Sequence, residues 1–291
     1  MKAELPQTWR TSPRAMLNCA AESLAAAGID SARLDAELLM ASAFNCERIE
    51  VIAGAIEVSD EAMIRFEESI RRRVAREPLA YIVGKKEFFS LELEVNESVL
   101  IPRPETEILV AAAVESASHR ADITILDIGT GSGAIALAIA AALPQARTVA
   151  TDVSAAALDV ARRNATRRGL GERVEFREGD CWEAMAASTT FDLIVSNPPY
   201  IEDGELDRLQ PEVAKFEPRV ALAGGSDGLD FYRKIAARLR EFLNPGGELM
   251  VEIGEGQELA VTEMFRASGA ADVAVISDFA GHARVVRSRF P

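Results

Sequence analysis

Apolar residues recur at helical spacing through the first quarter of the chain. Ser12 precedes Pro13, and the run that follows closes at Gly28. A serine N-cap, proline at the first helical position and glycine past the end predict a helix between them. Ser31 opens a second helix, SARLDAELLMASAF, with Leu34, Leu38 and Leu39 as apolar positions. A short helix is expected over Arg48 to Ala53. Ser59 then caps a longer one, in which Met63, Phe66 and Ile70 share a face. The pattern predicts a small helical domain whose last long helix ends near Ala75, with its Leu and Phe positions as core. Arg71, Arg72, Arg73 and Arg76 cluster at that helix end, with Lys85 and Lys86 beyond. Cations there complement the helix dipole; a docking surface for an acidic partner is the second reading.

The period then changes. After PLAYIVG come Glu87-Phe88-Phe89 and Leu91 to Val95, with Ser90 between them, which predicts a hairpin. Pro102 and Pro104 stiffen the loop Ile101 to Glu107, and Thr106 or the adjacent acids cap an apolar helix over Ile108 to Ser116. From Ile123 apolar runs alternate with amphipathic ones. The strands are ITILDI, TVATD, VEFREG, DLIVSN, GELMVEI, DVAVISD and ARVVRSR, with helices over Ile135 to Leu143, Ala155 to Arg168, Phe231 to Phe242 and Gln257 to Ser268. The prediction is an α/β protein. Its doubly wound, mostly parallel sheet has seven strands and follows a small all-α N-terminal domain and a β-hairpin linker. The last strand returns through Ala280-Gly281, so antiparallel pairing is expected at that edge. The divisions expected are residues 1–85, 86–100 and 101–291.

Three strand ends carry candidate chemistry for a ligand. Asp127-Ile128-Gly129-Thr130-Gly131-Ser132-Gly133 follows the first strand of the sheet and opens a helix. Its glycines allow close approach of the backbone to a ligand beneath a helix N-terminus. The spacing is G-x-G-x-G, unlike the dinucleotide G-x-G-x-x-G. An acid at Asp127 repels a pyrophosphate but tolerates a cationic methionine moiety, which favours S-adenosylmethionine over NAD. The second strand ends at Asp152, where a carboxylate can grip ribose hydroxyls. The third ends in Gly179-Asp180-Cys181-Trp182, where Asp180 suits an adenine amine and Trp182 the ring. Taken singly, Asp152 also fits a helix cap and Trp182 a core aromatic.

The fourth strand carries the reaction chemistry. Leu193-Ile194-Val195 stops abruptly in Asn197-Pro198-Pro199-Tyr200, because two prolines cannot donate to a ladder and the residue before proline is extended. Asn197 supplies an amide, Pro198 a free carbonyl and Tyr200 an aromatic face, in a stiff loop where open α/β sheets bind ligands. These groups suit a planar amide or amine.

Composition narrows the partners. The 291 residues carry a formal net charge of -14, which argues against a nucleic-acid backbone as the main partner. Cys19, Cys46 and Cys181 have no metal or disulfide spacing, and His119 and His282 are the only histidines, so no metal is expected. The N-terminus lacks an apolar signal region, and no apolar run reaches membrane length. A cytoplasmic monomer is the expectation.

The glycine loop, Asp152 and Asn197-Pro198-Pro199-Tyr200 resemble class I S-adenosylmethionine-dependent methyltransferases of planar nitrogen. Three further stretches are EPLAYIVGKKEFFSLELEVNESVLIPRPETE, FEPRVALAGGSDGLDFYRKI and LNPGGELMVEIGEGQ. With them and the helical N-terminal part, essentially the whole chain resembles the release factor glutamine methyltransferase family (PrmC/HemK). The resemblance implies a Rossmann-like methyltransferase domain. The implied substrate is the Gly-Gly-Gln glutamine of class I peptide chain release factors, with S-adenosylhomocysteine as second product. It implies cofactor contacts from Asp127, Gly129, Thr130, Gly131, Ser132, Gly133, Asp152, Asp180, Trp182 and Asn197. Asn197, Pro198 and Tyr200 are the expected catalytic residues, with Pro199, Arg103 and Glu105 added for substrate binding. The helical domain is implied to help hold the release factor. A DNA adenine-N6 methyltransferase, flipping a base into the same pocket, is the alternative; a non-catalytic binding module is a third reading.

Overall fold

A computed structural model describes residues 12–186 and 188–291. The chain divides into two units. One holds the residues up to Gly84 together with Gln210–Phe216; the other holds Lys85–Leu209 and Glu217–Pro291.

The helical unit contains α1 (Pro13–Ala26), α2 (Ala32–Phe44), α3 (Arg48–Ala53), α4 (Asp60–Val74) and α5 (Leu79–Val83). The Ser12 and Ser59 hydroxyls accept from Ala15 N and Ala62 N, so both serines cap as their sequence context predicts. Leu17, Leu24, Leu39, Met40, Phe66 and Ile70 form the core of the unit. Leu34 does not join them and is 42% exposed. The buried face of α2 instead runs Ala32, Ala36, Leu39, Met40 and Ala43, one helical stripe that excludes position 34. That face also buries Asp35 and Glu37, whose charges are paired: Arg73 Nε donates to Asp35 at 2.7 Å, and Arg33 and Arg48 meet Glu37 at 2.7 and 2.8 Å. A short helix of the returning segment, α9 (Pro211–Phe216), brings Glu212 to Arg73 and Arg76 at 2.9 and 2.7 Å. The cations at the end of α4 are therefore held inside this unit, with Arg72 on Glu77 and Arg71 on Glu67 and Glu68.

The second unit opens with a hairpin, β1 (Lys85–Phe88) and β2 (Leu91–Glu94), paired antiparallel. Phe89 and Ser90 form its two-residue turn with φ of 46° and 62°, the twist that suits a tight hairpin. Then come α6 (Glu107–Ala117), β3 (Ile123–Ile128), α7 (Ala134–Ala142), β4 (Ala146–Asp152), α8 (Ala155–Arg167), β5 (Val174–Glu178) and β6 (Phe191–Ser196). After the excursion through α9 follow α10 (Asp230–Phe242), β7 (Leu243–Glu252), α11 (Glu258–Ala267), β8 (Asp272–Ser277) and β9 (Ala283–Arg289). The sheet order is β5-β4-β3-β6-β7-β9-β8, parallel except where β9 pairs with β7 and β8. This is the doubly wound sheet with an antiparallel edge that the sequence rhythm predicts.

Alternation along the strands explains the layering. Ile125, Leu193, Val195 and Met250 face one way, onto Leu109, Val110 and Ala113 of α6 and the apolar α7. Their neighbours Leu126, Ile128, Ile194, Leu249 and Val251 face the other way, onto Tyr232, Ile235 and Leu239 of α10 and Phe265 of α11. Because β3, β4, β5 and β6 are parallel, their carboxyl ends lie along one edge, and that edge carries the site. No helix among the described residues is long and apolar enough to cross a membrane.

Candidate active site

The loop after β3 is built from its own carboxylates. Gly129, Gly131 and Gly133 have φ of 74°, 55° and 84°, which glycine adopts without strain. Gly129 N and Thr130 N donate to Thr151 O, tying the loop to β4. Asp127 is fully buried; its Oδ2 accepts from Thr130 Oγ1 at 2.6 Å and Ala136 N at 3.2 Å. Burial raises its pKa to about 7. Ser132 is also buried, and Asn164 Nδ2 donates to its carbonyl. Asp127, Thr130, Ser132 and Gly133 thus shape the loop from within, while Gly129 and Gly131 line a cleft of about 350 Å³.

Asp152, at the end of β4, lines the same cleft. Its Oδ2 accepts from Gly131 N at 2.8 Å and its Oδ1 from Ser154 N at 2.9 Å. Burial raises its pKa, and these backbone donors hold it back. Four lone-pair directions on a carboxylate leave room for further donors from a ligand. Beside it Val153 stands 51% exposed into the cleft.

After β5 the two adenine candidates part. Asp180 lines the cleft, with Lys234 Nζ on its Oδ2 at 2.7 Å. Trp182 is buried in the core, stacked on Phe242 at 4.7 Å between centroids, and its Nε1 donates to Lys234 O. The indole is not among the side chains that line the cleft. Phe231, Cys181 and Val153 supply apolar surface there instead.

The loop after β6 is clamped from several sides. Ser196 Oγ donates to Ile128 O, fixing the strand end against β3. Gln257 Nε2 donates to Tyr200 O at 3.0 Å and to Gly228 O at 3.3 Å, while its Oε1 accepts from Gly254 N. Ile201 exchanges backbone bonds with Leu222 and Gly224. A Cβ at Gly228 would sit 2.4 Å from Tyr200 O, so only glycine fits. The GGSDG and GEGQ stretches thereby act as the mould of the Asn-Pro-Pro-Tyr loop. Asn197 and Pro199 line the cleft, Pro198 is buried and Tyr200 half-buried.

The stiff loop before α6 reaches the same residues. Thr106, 4% exposed, accepts from Asn197 Nδ2 at 3.0 Å. That bond turns the amide so that Oδ1 is the acceptor available to the cleft. Arg103, expected at the substrate, donates to Glu217 at 2.6 Å, and the buried Glu217 carboxylate also accepts from the Ile101 backbone. Glu105 is exposed. Neither Arg103 nor Glu105 lines the cleft. The buried Glu252, at the end of β7, meets Thr106 and Tyr200; burial raises its pKa to about 7 and that of the Tyr200 phenol to about 12.

One cleft therefore gathers Gly129, Gly131, Asp152, Asp180, Asn197 and Pro199, drawn from the ends of four parallel strands. Thr106, Gln257, Glu252, Val153 and Phe231 join or support it; Thr106 reads in the sequence as a helix cap, and nothing in the spacing of the other four points to the cleft. The residues fit a nucleoside with a sulfonium side chain. A Cβ at Gly129 or Gly131 would meet no atom of the chain, so the space beside those backbones is open to a ligand. Carboxylates stand at both Asp152 and Asp180, and no group of His, Cys, Asp and Glu among the described residues has the arrangement of a metal site.

Comparison with known proteins extends the match beyond the cleft. Residues 15–84 match the PrmC N-terminal domain family, and residues 105–213 match the methyltransferase small domain family. A release factor glutamine methyltransferase of Geobacter sulfurreducens is 44% identical over 98% of this chain and 99% of its own. One from Caulobacter vibrioides is 42% identical over 92% of each chain. Among solved structures, the hMettl16 catalytic domain aligns with a TM-score of 0.57 at 17% identity, over 81% of this chain and 84% of that one. A methyltransferase from Pyrococcus furiosus aligns at 0.51 and 20%, over 79% and 98%. These structural neighbours share the fold, whereas the sequence relatives match from end to end, and on that ground the chain belongs to the release factor glutamine methyltransferase family.

Proposed function

We propose that this enzyme methylates the side-chain nitrogen of the glutamine in the Gly-Gly-Gln loop of class I peptide chain release factors, using S-adenosylmethionine. The observation that carries the reading is the fixed amide of Asn197. Its Nδ2 is committed to Thr106, so an acceptor faces the cleft that Asp152 and the glycine loop share. Bound S-adenosylmethionine supplies a methyl group already activated by its sulfonium. Asp152 would hold the ribose hydroxyls and Asp180 the adenine amine, and Val153 and Phe231 would offer apolar surface to the ring.

An amide nitrogen is a poor nucleophile because its lone pair is delocalised, so the protein must position and polarise it. Asn197 Oδ1 and the Pro198 carbonyl accept the two amide hydrogens, which fixes the nitrogen and raises its electron density. Tyr200 stacks on the amide plane. Positive charge grows on nitrogen as its bond to the methyl forms and the sulfur–methyl bond breaks, which would leave S-adenosylhomocysteine, and the two acceptors stabilise that charge. The proton leaves afterwards, so no strong base is needed first. The helical unit supplies remote binding energy for the release factor, and the protein works where release factors are made, in the cytoplasm.

Mass spectrometry of a class I release factor after incubation with the protein and S-adenosylmethionine tests the reading. One added methyl on the Gly-Gly-Gln glutamine is expected. An unmodified factor, or transfer to duplex DNA in a parallel reaction, would refute it.

A further inference from the structure

The second unit leaves its large hydrophobic side chains exposed at one edge of the sheet. Among its described residues they are Val153, Val220, Leu259, Val275 and Phe279. None lies on α6, α7, α8 or α10, which cover the two faces. Exposed hydrophobics scattered singly need no explanation, but these are gathered. Val153 and Val220 line the cleft, and Val275 lies two residues before the end of β8. Leu259 and Phe279 stand outside the cleft, on the β7-β9-β8 side of the same edge.

Topology fixes that placement. β9 is antiparallel to both β7 and β8, so β8 runs parallel to β7 and β6. The turn after β8 therefore rises from the edge that also carries the Asn-Pro-Pro-Tyr loop. Phe279 is at its tip, fully exposed. Asp278 fastens the turn: its Oδ1 accepts from Ala280 N and His282 N and its Oδ2 from Arg284 Nε, all at 2.9 Å. The phenyl ring is thus held out in water, at a cost in solvation and with no return to the core. Leu259 is 72% exposed in the first turn of α11, two residues past Gln257, whose Nε2 donates to Tyr200 O at 3.0 Å. Around the same edge, the segment leaving the Asn-Pro-Pro-Tyr loop exposes Glu202, Asp203 and Glu205, and the loop after β7 exposes Glu255.

We propose that this edge, with Leu259 and Phe279 as apolar anchors and Glu202, Asp203, Glu205 and Glu255 as its charge, docks the protein that carries the glutamine, and that the surface it meets is basic with an apolar centre. The inference rests on the glutamine reading, since it names how the protein around that glutamine is held. From the end of β6 to the β8–β9 turn is two to three strand spacings of about 4.8 Å, or about 10–15 Å. A folded protein flanking the inserted loop spans that distance, whereas a free amide does not. Rigid exposed aromatics at such a surface supply binding energy at little entropic cost, and complementary charge speeds encounter. The acids repel a nucleic-acid backbone, so the edge suits a protein.

The test is steady-state methylation of a purified class I release factor by the full chain, with S-adenosylhomocysteine affinity measured separately by calorimetry. Leu259→Ser and Phe279→Ser change exposed side chains and should keep the fold. Each should raise KM for the release factor about tenfold, and the double variant further, while kcat at saturation and cofactor affinity hold. In wild type, KM should rise with added salt. Glu202→Gln, Asp203→Asn and Glu205→Gln together should raise KM at low salt and flatten that dependence. An unchanged KM in the double variant overturns the proposal. So does a wild-type dimer that the double variant dissolves, because a second copy would then cover the edge. No methylation of the factor by wild type refutes the glutamine reading itself, a result distinct from methylation with an unaltered KM.

Discussion

Replacing Asp152 with alanine separates holding the ligand from holding the loops. The carboxylate accepts from Gly131 N at 2.8 Å and Ser154 N at 2.9 Å, one donor from each of two loops. Removing it strands both backbone donors. A donor left without a partner in a buried place costs about 1–3 kcal/mol, and water from the cleft can reach part of this site, so about 2 kcal/mol in total is expected. For a domain of this size that lowers the melting temperature by about 4–8 °C. If Asp152 holds the ribose as proposed, the same change also removes a charged acceptor from its hydroxyls, worth about 1.5–3 kcal/mol, or about 10- to 150-fold in Kd. Calorimetric titration with S-adenosylhomocysteine, well below the melting temperature of each variant, reads the second effect apart from the first. Asp152→Asn retains one oxygen for one of the two loops. It should recover roughly half the stability while binding the cofactor nearly as poorly as alanine. Wild-type affinity in a folded Asp152→Ala protein would show that the ribose is held elsewhere.

Three further perturbations follow from the geometry. Asn197→Ala should lower kcat about 10²–10³-fold while cofactor affinity holds, since the lost acceptor acts as charge develops on nitrogen; Asn197→Asp should fall between alanine and wild type, and single-turnover rates that match wild type for alanine would remove Asn197 from the reaction. Gly228→Ala, at φ 72° with its Cβ 2.4 Å from Tyr200 O, should destabilise by about 1–3 kcal/mol and slow turnover by displacing Tyr200, so an unchanged denaturant midpoint and rate would contradict the clamp. Asp127 has its pKa raised by burial from 3.8 to about 7, so the folded protein keeps a proton that the unfolded chain has released. Its contribution to stability is full below 3.8 and is lost as pH rises to about 7, and Asp127→Asn should flatten the melting profile across that window.

Local signals made much of the fold legible. The serines at 12 and 59 cap because their hydroxyls need only the next helical turn. The period-two and period-3.6 rhythms identify the strands and helices of the sheet, whose observed ends mostly lie within a residue or two of the expected ones. β7 starts four residues earlier, at Leu243, where it pairs with Phe191 through a register shift that no local pattern encodes. Leu34 shows the same limit: spacing placed it on an apolar face, whereas the buried stripe of α2 runs through Ala32, Ala36, Leu39, Met40 and Ala43.

The candidate site divides along similar lines. Asn197-Pro198-Pro199-Tyr200, the glycine loop and Asp152 are visible in the sequence because each has a covalent or backbone requirement: prolines that end a strand, glycines at positive φ, an acid closing a strand. What those side chains face is set by partners far along the chain. Trp182 turns to Phe242, Arg103 to Glu217, and the Asn197 amide to Thr106, across separations of 60, 114 and 91 residues. Chain composition and periodicity carry no information about such pairings, because they arise only when the sheet brings distant strand ends to one edge. The sequence by itself determined the elements, the family and the stiff Asn-Pro-Pro-Tyr loop. Tertiary structure alone decided which acids line the cleft, which are buried to shape it, and which way the amide at its centre points.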